Sequence, residues 1–172
     1  MTSPLPLAEF ADDPAILRQT FALFPSGVAA LSAFVDDEPV VLVASSFQVG
    51  ISLDPPLVLF AVKHTSTSWP KLKTRPRLGV SVLGEANDVA AKQLGSKSPD
   101  RFANIETTTL ESGALFIDGA PVRLECSIYS EFIAGDHDVV LLEVHAVDNA
   151  PDTEPLVWHR SGFRALSPQE VA

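Results

Sequence analysis

The stretch that decides the fold is VRLECSIYSEFIAGDHDVVLLEVHAV, residues 122–147. Over residues 122–128, apolar side chains alternate with polar ones, which predicts a strand with one buried face. Ala134-Gly135-Asp136 predicts a turn, and Val139–Val147 predicts the returning strand. Two long strands joined by a tight turn indicate an antiparallel β protein.

The rest of the chain repeats this pattern at hairpin spacing. We predict a helix capped by Asp13 that begins at Pro14, and two short helices, one near Ser68 and one over Asn87–Leu94. The other predicted strands cover 28–35, Val40–Ser46 after a turn at Asp36–Pro39, Leu57–Val62, Leu78–Leu83, Leu156–Trp158 and Gly162–Leu166. Many strands with few short helices favour a closed antiparallel barrel. We expect one domain over residues 1–172, with its core at about 15–166.

Composition excludes several classes of protein. The 172 residues carry a net charge of -10, which disfavours binding to nucleic acid or to an anionic membrane. The single cysteine, Cys126, rules out an internal disulfide and a cysteine-based zinc site, and we interpret it as a core residue. The acidic start, Met1–Asp13, does not resemble a signal peptide, and no apolar run reaches the roughly 18 residues of a membrane helix. We therefore expect a cytoplasmic protein.

Common catalytic motifs are also missing from the sequence. It contains no Gly-x-Gly-x-x-Gly after a strand, no P-loop, no His-Glu-x-x-His and no Gly-x-Ser-x-Gly. The four histidines are scattered, so we predict no metal site. If the protein is an enzyme, a bound organic cofactor is expected to supply the reactive centre.

Two segments could hold such a cofactor. Ala44-Ser45-Ser46-Phe47-Gln48 ends a strand with small hydroxyl residues and an aromatic face, although it could equally be an ordinary strand end. Lys63-His64-Thr65-Ser66-Thr67-Ser68-Trp69 places four hydroxyl residues before a helix, where free N–H groups suit a phosphate. Helix capping explains only one of the four hydroxyls.

Three further segments carry polar or aromatic side chains. Gly135-Asp136-His137 is either simple turn chemistry or a histidine at a barrel mouth that contacts an anion or a nicotinamide. Trp158-His159-Arg160 lines a nucleotide pocket or lies on the surface with buried stems. Asp100-Arg101-Phe102 is a weaker candidate, with a solvated loop as its alternative.

Taken in order, these segments resemble the flavin reductase-like family with the FMN-binding split barrel, from about Ala15 to Leu166. The motif Thr-Ser-Thr-Ser-Trp-Pro resembles the one common in the actinobacterial branch of this family. Members of that branch are reductase components of two-component flavin-dependent monooxygenases. The residues that carry the resemblance are Phe24-Pro25-Ser26-Gly27-Val28, Ala44-Ser45-Ser46-Phe47, Ser52-Leu53-Asp54-Pro55-Pro56-Leu57-Val58, Ser66-Thr67-Ser68-Trp69, Asp100-Arg101-Phe102, Gly135-Asp136-His137 and Pro155-Leu156-Val157-Trp158.

The resemblance implies a Greek-key split barrel that forms a homodimer with flavin at the interface. It implies an NAD(P)H:flavin oxidoreductase, in which NADH or NADPH reduces FMN or FAD for a separate monooxygenase. His137 is implied to orient the nicotinamide, with Trp158 and His159 closing that pocket. The implied flavin contacts are Ser45, Ser46, Phe47 and Gln48 at the ring edge, Ser66 and Ser68 at the phosphate, Arg101 and Phe102 from a loop, and Ser52, Lys63, Thr65 and Thr67 around them.

Two departures from the family pattern affect these contacts. Thr67 stands where many relatives carry Arg, so Lys63, His64, Lys71 or a partner residue is needed to supply the charge. The stretch Gln48-Val49-Gly50-Ile51 is one residue longer than usual, which predicts a bulge.

Three alternative functions stay open at this point. The domain could bind flavin without turnover, reduce an organic substrate with tightly held FMN, or be a barrel that binds no flavin. The sequence does not decide between FMN and FAD, or between NADH and NADPH.

Overall fold

The computed structural model describes residues 13–166, which form three α-helices and twelve β-strands. The helices are α1 (Pro14–Phe21), α2 (Trp69–Leu72) and α3 (Asp88–Leu94). The strands are β1 (Ser26–Gly27), β2 (Ala29–Val35), β3 (Glu38–Ala44), β4 (Gln48–Leu53), β5 (Pro56–Lys63), β6 (Leu78–Val82), β7 (Thr107–Thr109), β8 (Leu115–Ile117), β9 (Val122–Ala134), β10 (His137–Asn149), β11 (Val157–His159) and β12 (Gly162–Arg164). The prediction of a mainly β protein with short helices is confirmed. The signal-peptide expectation for the first twelve residues lies outside the described part of the chain.

The long β9–β10 hairpin forms as predicted and extends further than the alternation of residues suggests. The two strands pair from His137 opposite Ala134 to Asn149 opposite Val122. Gly135 adopts a φ of 66° in the turn, a conformation that glycine reaches without strain. Two register shifts bend the hairpin, which allows it to follow a curved sheet.

The main sheet curls strongly. Its seven strands pair antiparallel in the order β3-β2-β6-β9-β10-β5-β4. A flat sheet would separate β3 from β4 by about 29 Å. Only residues 45–47 join these two strands, and such a link spans at most about 14 Å. The two ends of the sheet therefore approach one another, although no backbone ladder joins β3 to β4 within residues 13–166, so the strand pairing does not itself close the predicted barrel.

Two apolar cores lie on the two faces of this curled sheet. The inner core takes side chains from β2, β3, β5, β6, β9 and β10 and includes Phe60, Trp69 and the fully buried Cys126. The outer core covers the reverse face of β2 and β3 with α3, β8 and Leu156. Burial on both faces explains why β2 is apolar at every position except Ser32 rather than alternating in polarity.

Several boundaries differ from the predictions. The β2–β3 turn contains only Asp36 and Asp37, both at positive φ, so β3 begins at Glu38. The strand ends at Ala44 rather than at Ser46. The strands β1, β4, β7 and β8 were not predicted, because β4 is largely exposed and the other three are only two or three residues long. None of the helices within 13–166 has the length and apolar character needed to cross a membrane.

Candidate functional site

The segment Ser45–Phe47 lies where the two ends of the curled sheet approach. The Ser46 hydroxyl donates to the Ala61 carbonyl at 2.9 Å and accepts from the Ala61 amide at 3.0 Å. Phe47 packs against the inner core, whereas Ser45 and Gln48 are exposed. Ser46 therefore connects the end of β3 to β5 through its side chain.

The predicted bulge is present in β4. Gln48 pairs with Leu59 and Ser52 pairs with Leu57, so three residues of β4 oppose one residue of β5. Gly50 has a φ of 74° within this stretch. The β4–β5 pairing ends at Gln48 and Leu59, and the same register continued places Ser46 opposite Ala61, so the Ser46 hydroxyl bonds the Ala61 backbone groups in place of a ladder partner.

The hydroxyl loop, residues 64–68, connects β5 to α2. The Ser66 hydroxyl accepts from the Trp69 amide at 3.1 Å, so Ser66 supplies the cap that one hydroxyl was expected to supply. Ser68 is buried, whereas Thr65 and Thr67 are exposed. The helix α2 has only four residues, so its dipole is small and a phosphate here needs cationic side chains as well.

Cationic side chains and hydroxyls meet in a cavity of about 390 Å³ beside the hydroxyl loop. Arg101 Nη2 donates to Ser68 Oγ at 3.0 Å, which ties the loop after α3 to the hydroxyl loop. The lining residues are Glu38, Pro39, Val40, Thr67, Ser68, Lys71, Pro99, Asp100, Arg101 and Phe102. The structure thus brings together four predicted residues and adds Lys71 as a second cation.

A second cavity, of about 350 Å³, brings Ser45 to Trp158. Trp158 packs edge-on against Phe163 at 5.1 Å between ring centroids, and Lys92 Nζ lies 5.7 Å from the Phe163 centroid. Residues of β3, or immediately after it, line both cavities: Glu38, Pro39 and Val40 in the first, Val43 and Ser45 in the second. The two cavities therefore lie along one strand, with α3 and the loop that follows it as the facing wall.

His137 lies at the start of β10, opposite Lys63 at the end of β5. Its Nδ1 donates to Asp136 Oδ1 at 2.6 Å. This hydrogen bond, together with the neighbouring imidazole, lowers the pKa of the Asp136 carboxyl below its ordinary value. Trp158 and His159 lie in β11, which pairs with β1 and β12, so the fold does not group them with His137 along one strand pair.

Ser52 lies apart from the other predicted flavin contacts. It pairs with Leu57, and its hydroxyl accepts from the Asp54 amide. Leu57 precedes Lys63 by six residues in an extended strand, a distance of roughly 20 Å. Within one subunit, Ser52 is therefore remote from the hydroxyl loop.

Sequence reasoning missed several residues that line the two cavities. Lys92 was considered only as part of a helix, and Glu38 only as part of a turn. Each lies far along the chain from the hydroxyl loop: β3 carries Glu38 at the first cavity, and α3 carries Lys92 at the second. A helical pattern that contains a single basic residue does not show that this residue faces an aromatic side chain of the C-terminal hairpin. The local sequence therefore gives no signal of a site.

Comparisons with known proteins give one consistent family. Residues 21–167 match the family described as the flavin reductase like domain. The chain is 32% identical to the reductase subunit HsaB of a flavin-dependent monooxygenase from Mycobacterium tuberculosis over 161 residues, which cover 92% of this chain and 86% of the relative.

Solved structures agree with this match. The NADH:FAD oxidoreductase SgcE6 of Streptomyces globisporus, in complex with NAD and FAD fragments, superposes with a TM-score of 0.86 at 34% identity, covering 95% of this chain and 99% of that one. The nitrilotriacetate monooxygenase component B from Mycobacterium thermoresistibile gives a TM-score of 0.86 at 30% identity, covering 92% and 89% of the two chains. The chain therefore belongs to the flavin reductase-like domain family.

Proposed function

We propose that this chain is an NAD(P)H-dependent flavin reductase that transfers hydride from NADH or NADPH to FMN or FAD and supplies reduced flavin to a separate monooxygenase. Bound flavin supplies the redox chemistry, since its ring accepts the hydride of the nicotinamide and passes the electrons on. The protein's own residues bind and orient the two ring systems.

The observation that carries this proposal is the meeting of two cations and two hydroxyls in one cavity of an acidic protein. Lys71 and Arg101 line the cavity with Thr67 and Ser68, although the whole chain has a net charge of -10. Ammonium and guanidinium groups beside hydroxyl donors suit a phosphate. Lys71 supplies the positive charge that Thr67, in place of the family's Arg, does not.

The acidic groups in the same cavity also suit a flavin nucleotide. Glu38 and Asp100 line the wall, and a carboxylate accepts hydrogen bonds from hydroxyl groups. A ligand that carries both a phosphate and a polyhydroxyl chain therefore fits the site better than a simple anion. Pro39, Val40 and Phe102 give the remaining apolar surface.

The ring end of the ligand is assigned to the second cavity and the adjoining connection Ser45–Phe47. Ser45 lines this cavity with Trp158, and Ser46 and Phe47 follow Ser45 in the chain. Small side chains leave backbone amides accessible, and such amides stabilise negative charge that develops on a reduced ring. We assign His137 to nicotinamide orientation, held by Asp136, rather than to proton transfer.

The relatives support both the reaction and the partner. Their names describe a monooxygenase reductase subunit and an NADH:FAD oxidoreductase. We propose the same relation here, in which a flavin-dependent monooxygenase consumes the reduced flavin. The cytoplasm, where metabolism reduces nicotinamide cofactors, is the compartment that we propose.

We also propose that the functional unit is a homodimer. Directly paired residues of antiparallel strands share a face, and Ala61, Val139 and Phe132 form one such row on the outer side of the sheet. Leu59 and Leu141 continue the row, and Phe132 is 54% exposed. An apolar sheet face of this kind is typical of an interface between subunits.

The closed split barrel belongs to the same proposal. Ser46 already joins the β3 end of the sheet to β5 through both backbone groups of Ala61. We infer that this link and the short Ser45–Phe47 connection close the barrel without a continuous ladder between the end strands.

Anaerobic titration tests the proposed function directly. Purified protein is titrated with FMN and with FAD, and NADH or NADPH is then added while the flavin absorbance near about 450 nm is followed. Rapid bleaching supports the reductase. Flavin that binds but is not bleached by either nicotinamide supports a flavin carrier, and a protein that ignores both flavins contradicts the whole proposal.

Gel filtration of the reduced complex completes the test. Flavin that leaves the protein after reduction supports supply to a monooxygenase. Flavin that remains bound indicates a reductase that acts on a small organic substrate.

A further inference from the structure

We propose that His64 and Asp138 are positioning residues that couple the hydroxyl loop to the hairpin end carrying His137. Through this pair, flavin binding and nicotinamide binding strengthen one another. The inference rests on the proposed function, since it assigns the flavin phosphate to the hydroxyl loop and the nicotinamide to His137.

Two hydrogen bonds join the loop to the hairpin, and both come from His64. Its backbone amide donates to the Asp136 carbonyl at 3.1 Å. Its Nε2 lies 3.0 Å from Asp138 Oδ1. A carboxylate only accepts hydrogen bonds, so Nε2 carries the proton in this contact.

The two residues of this contact are chain neighbours of residues that we assign to ligand binding. His64 immediately precedes Thr65 in the hydroxyl loop, and Asp138 immediately follows His137 in β10. Lys63 and His137 are also direct partners across β5 and β10. A shift of the loop toward a phosphate therefore acts within one residue of the histidine that we assign to the nicotinamide.

The contact that fixes α2 to the hairpin has a different character. Trp69 Nε1 donates to Glu131 Oε1 at 2.8 Å, and the Trp69 side chain is buried in the inner core. That contact fixes α2 to β9 as part of the packing. The His64 and Asp138 side chains are 43% and 22% exposed, and such a pair adds little to stability. Its loss should consequently appear in ligand affinity and leave folding nearly unchanged.

Binding coupling of this kind is reciprocal, which provides the test. If FMN raises the affinity for NAD+ by some factor, NAD+ must raise the affinity for FMN by the same factor. Oxidised FMN and NAD+ do not react with each other, so both dissociation constants are measurable at equilibrium in the full-length protein.

We expect FMN to tighten NAD+ binding by about fivefold in the wild type. In His64→Ala and in Asp138→Ala the factor should fall close to one, and the double variant should lose no more than either single variant. His64→Gln keeps an N–H donor for Asp138 and should restore most of the coupling. The rate of hydride transfer at saturating NADH should change by less than about twofold.

Asp148→Ala is the matched control. Arg123 Nε donates to Asp148 Oδ2 at 2.9 Å, which makes this a solvent-exposed ion pair between β9 and β10, at the end of the hairpin opposite to Asp138. This variant should keep the wild-type coupling factor. A thermal melt of each variant checks that folding is intact.

The outcomes separate this inference from the function on which it rests. Full coupling in both alanine variants, or additive losses in the double variant, overturns the role of the pair while the enzyme still reduces flavin. Loss of coupling only together with a lowered melting temperature, and without rescue by His64→Gln, also overturns it. A wild type that binds FMN but shows no bleaching with NADH or NADPH contradicts the reductase itself.

Discussion

At the scale of single residues, we expect Arg101 to contribute the charge that distinguishes phosphorylated flavin from riboflavin. Its guanidinium donates to Ser68 and lines the same cavity as Lys71. Replacement of Arg101 with Ala should weaken FMN binding by about tenfold or more, since a hydrogen bond to a charged group contributes about 1.5–3 kcal/mol.

Riboflavin, which lacks the phosphate, is the matched ligand for this prediction. Its affinity should be unchanged in Arg101→Ala, as measured by quenching of flavin fluorescence. An equal loss for FMN and riboflavin would instead mean that Arg101 only supports the packing of its loop.

His137 is expected to act on binding more than on chemistry. We predict that His137→Ala weakens nicotinamide binding more than it slows hydride transfer, because we assign the histidine to orientation of the ring and not to proton transfer. Stopped-flow single turnovers over a range of NADH concentrations separate the two effects. A large fall in the rate at saturating NADH with unchanged affinity would refute the orienting role.

Cys126 should be chemically inert in the native protein. Burial raises the pKa of its thiol from 9.0 to about 12. The native state therefore keeps the proton longer than the unfolded chain does. Below pH 9.0 the raised pKa leaves the free energy of unfolding unchanged. From pH 9.0 toward about 12 the free energy of unfolding falls by roughly 1.4 kcal/mol per pH unit.

Urea denaturation of the wild type and of Cys126→Val checks this prediction. The difference in stability between the two proteins should move in favour of the variant between about pH 8 and about pH 10.5. Other groups titrate equally in both, so a constant difference contradicts the assignment. Thiol reagents at neutral pH should label Cys126 only after unfolding.

At the scale of elements, β6 and β8 approach so closely that only glycine fits between them. A Cβ on Gly79 would lie 2.0 Å from the Leu115 carbonyl oxygen, which is backbone and cannot rotate away. Gly79→Ala should destabilise the protein by about 3 kcal/mol or more. A Cβ on Gly27 in β1 would have no neighbouring atom within 4 Å. Gly27→Ala is therefore the matched control and should alter the melting temperature little.

At the scale of the whole molecule, the exposed outer face of β5, β10 and β9 is where we expect the second subunit. Phe132 projects from this face, and a carboxylate there could not be buried against an apolar partner without large cost. Phe132→Asp should therefore yield monomers in sedimentation equilibrium, with weaker flavin binding if the partner completes the site. Val89→Asp, at an exposed apolar position on α3, should leave the oligomeric state unchanged.

The sequence by itself determined much of the element order and the chemistry of the hydroxyl loop. Alternation along residues 122–128 predicted β9, because one face of that strand is buried and the other is not. The surplus of hydroxyls before Trp69 was informative because capping uses only Ser66. The family resemblance rested on short motifs, each of which is a continuous stretch of the chain and can therefore be read directly from the sequence.

Only the tertiary structure decided which distant residues share a cavity. Lys71 and Arg101 line one cavity because α2 lies beside the loop after α3, where Arg101 bonds Ser68, and no local propensity encodes that approach. Ser52, predicted with the flavin contacts, lies opposite Leu57 at the far end of β5, since β4 runs antiparallel to β5 and leads away from the hydroxyl loop. Pairing register and sheet curvature are set by packing between segments far apart in the chain, and a single sequence carries no direct signal of them.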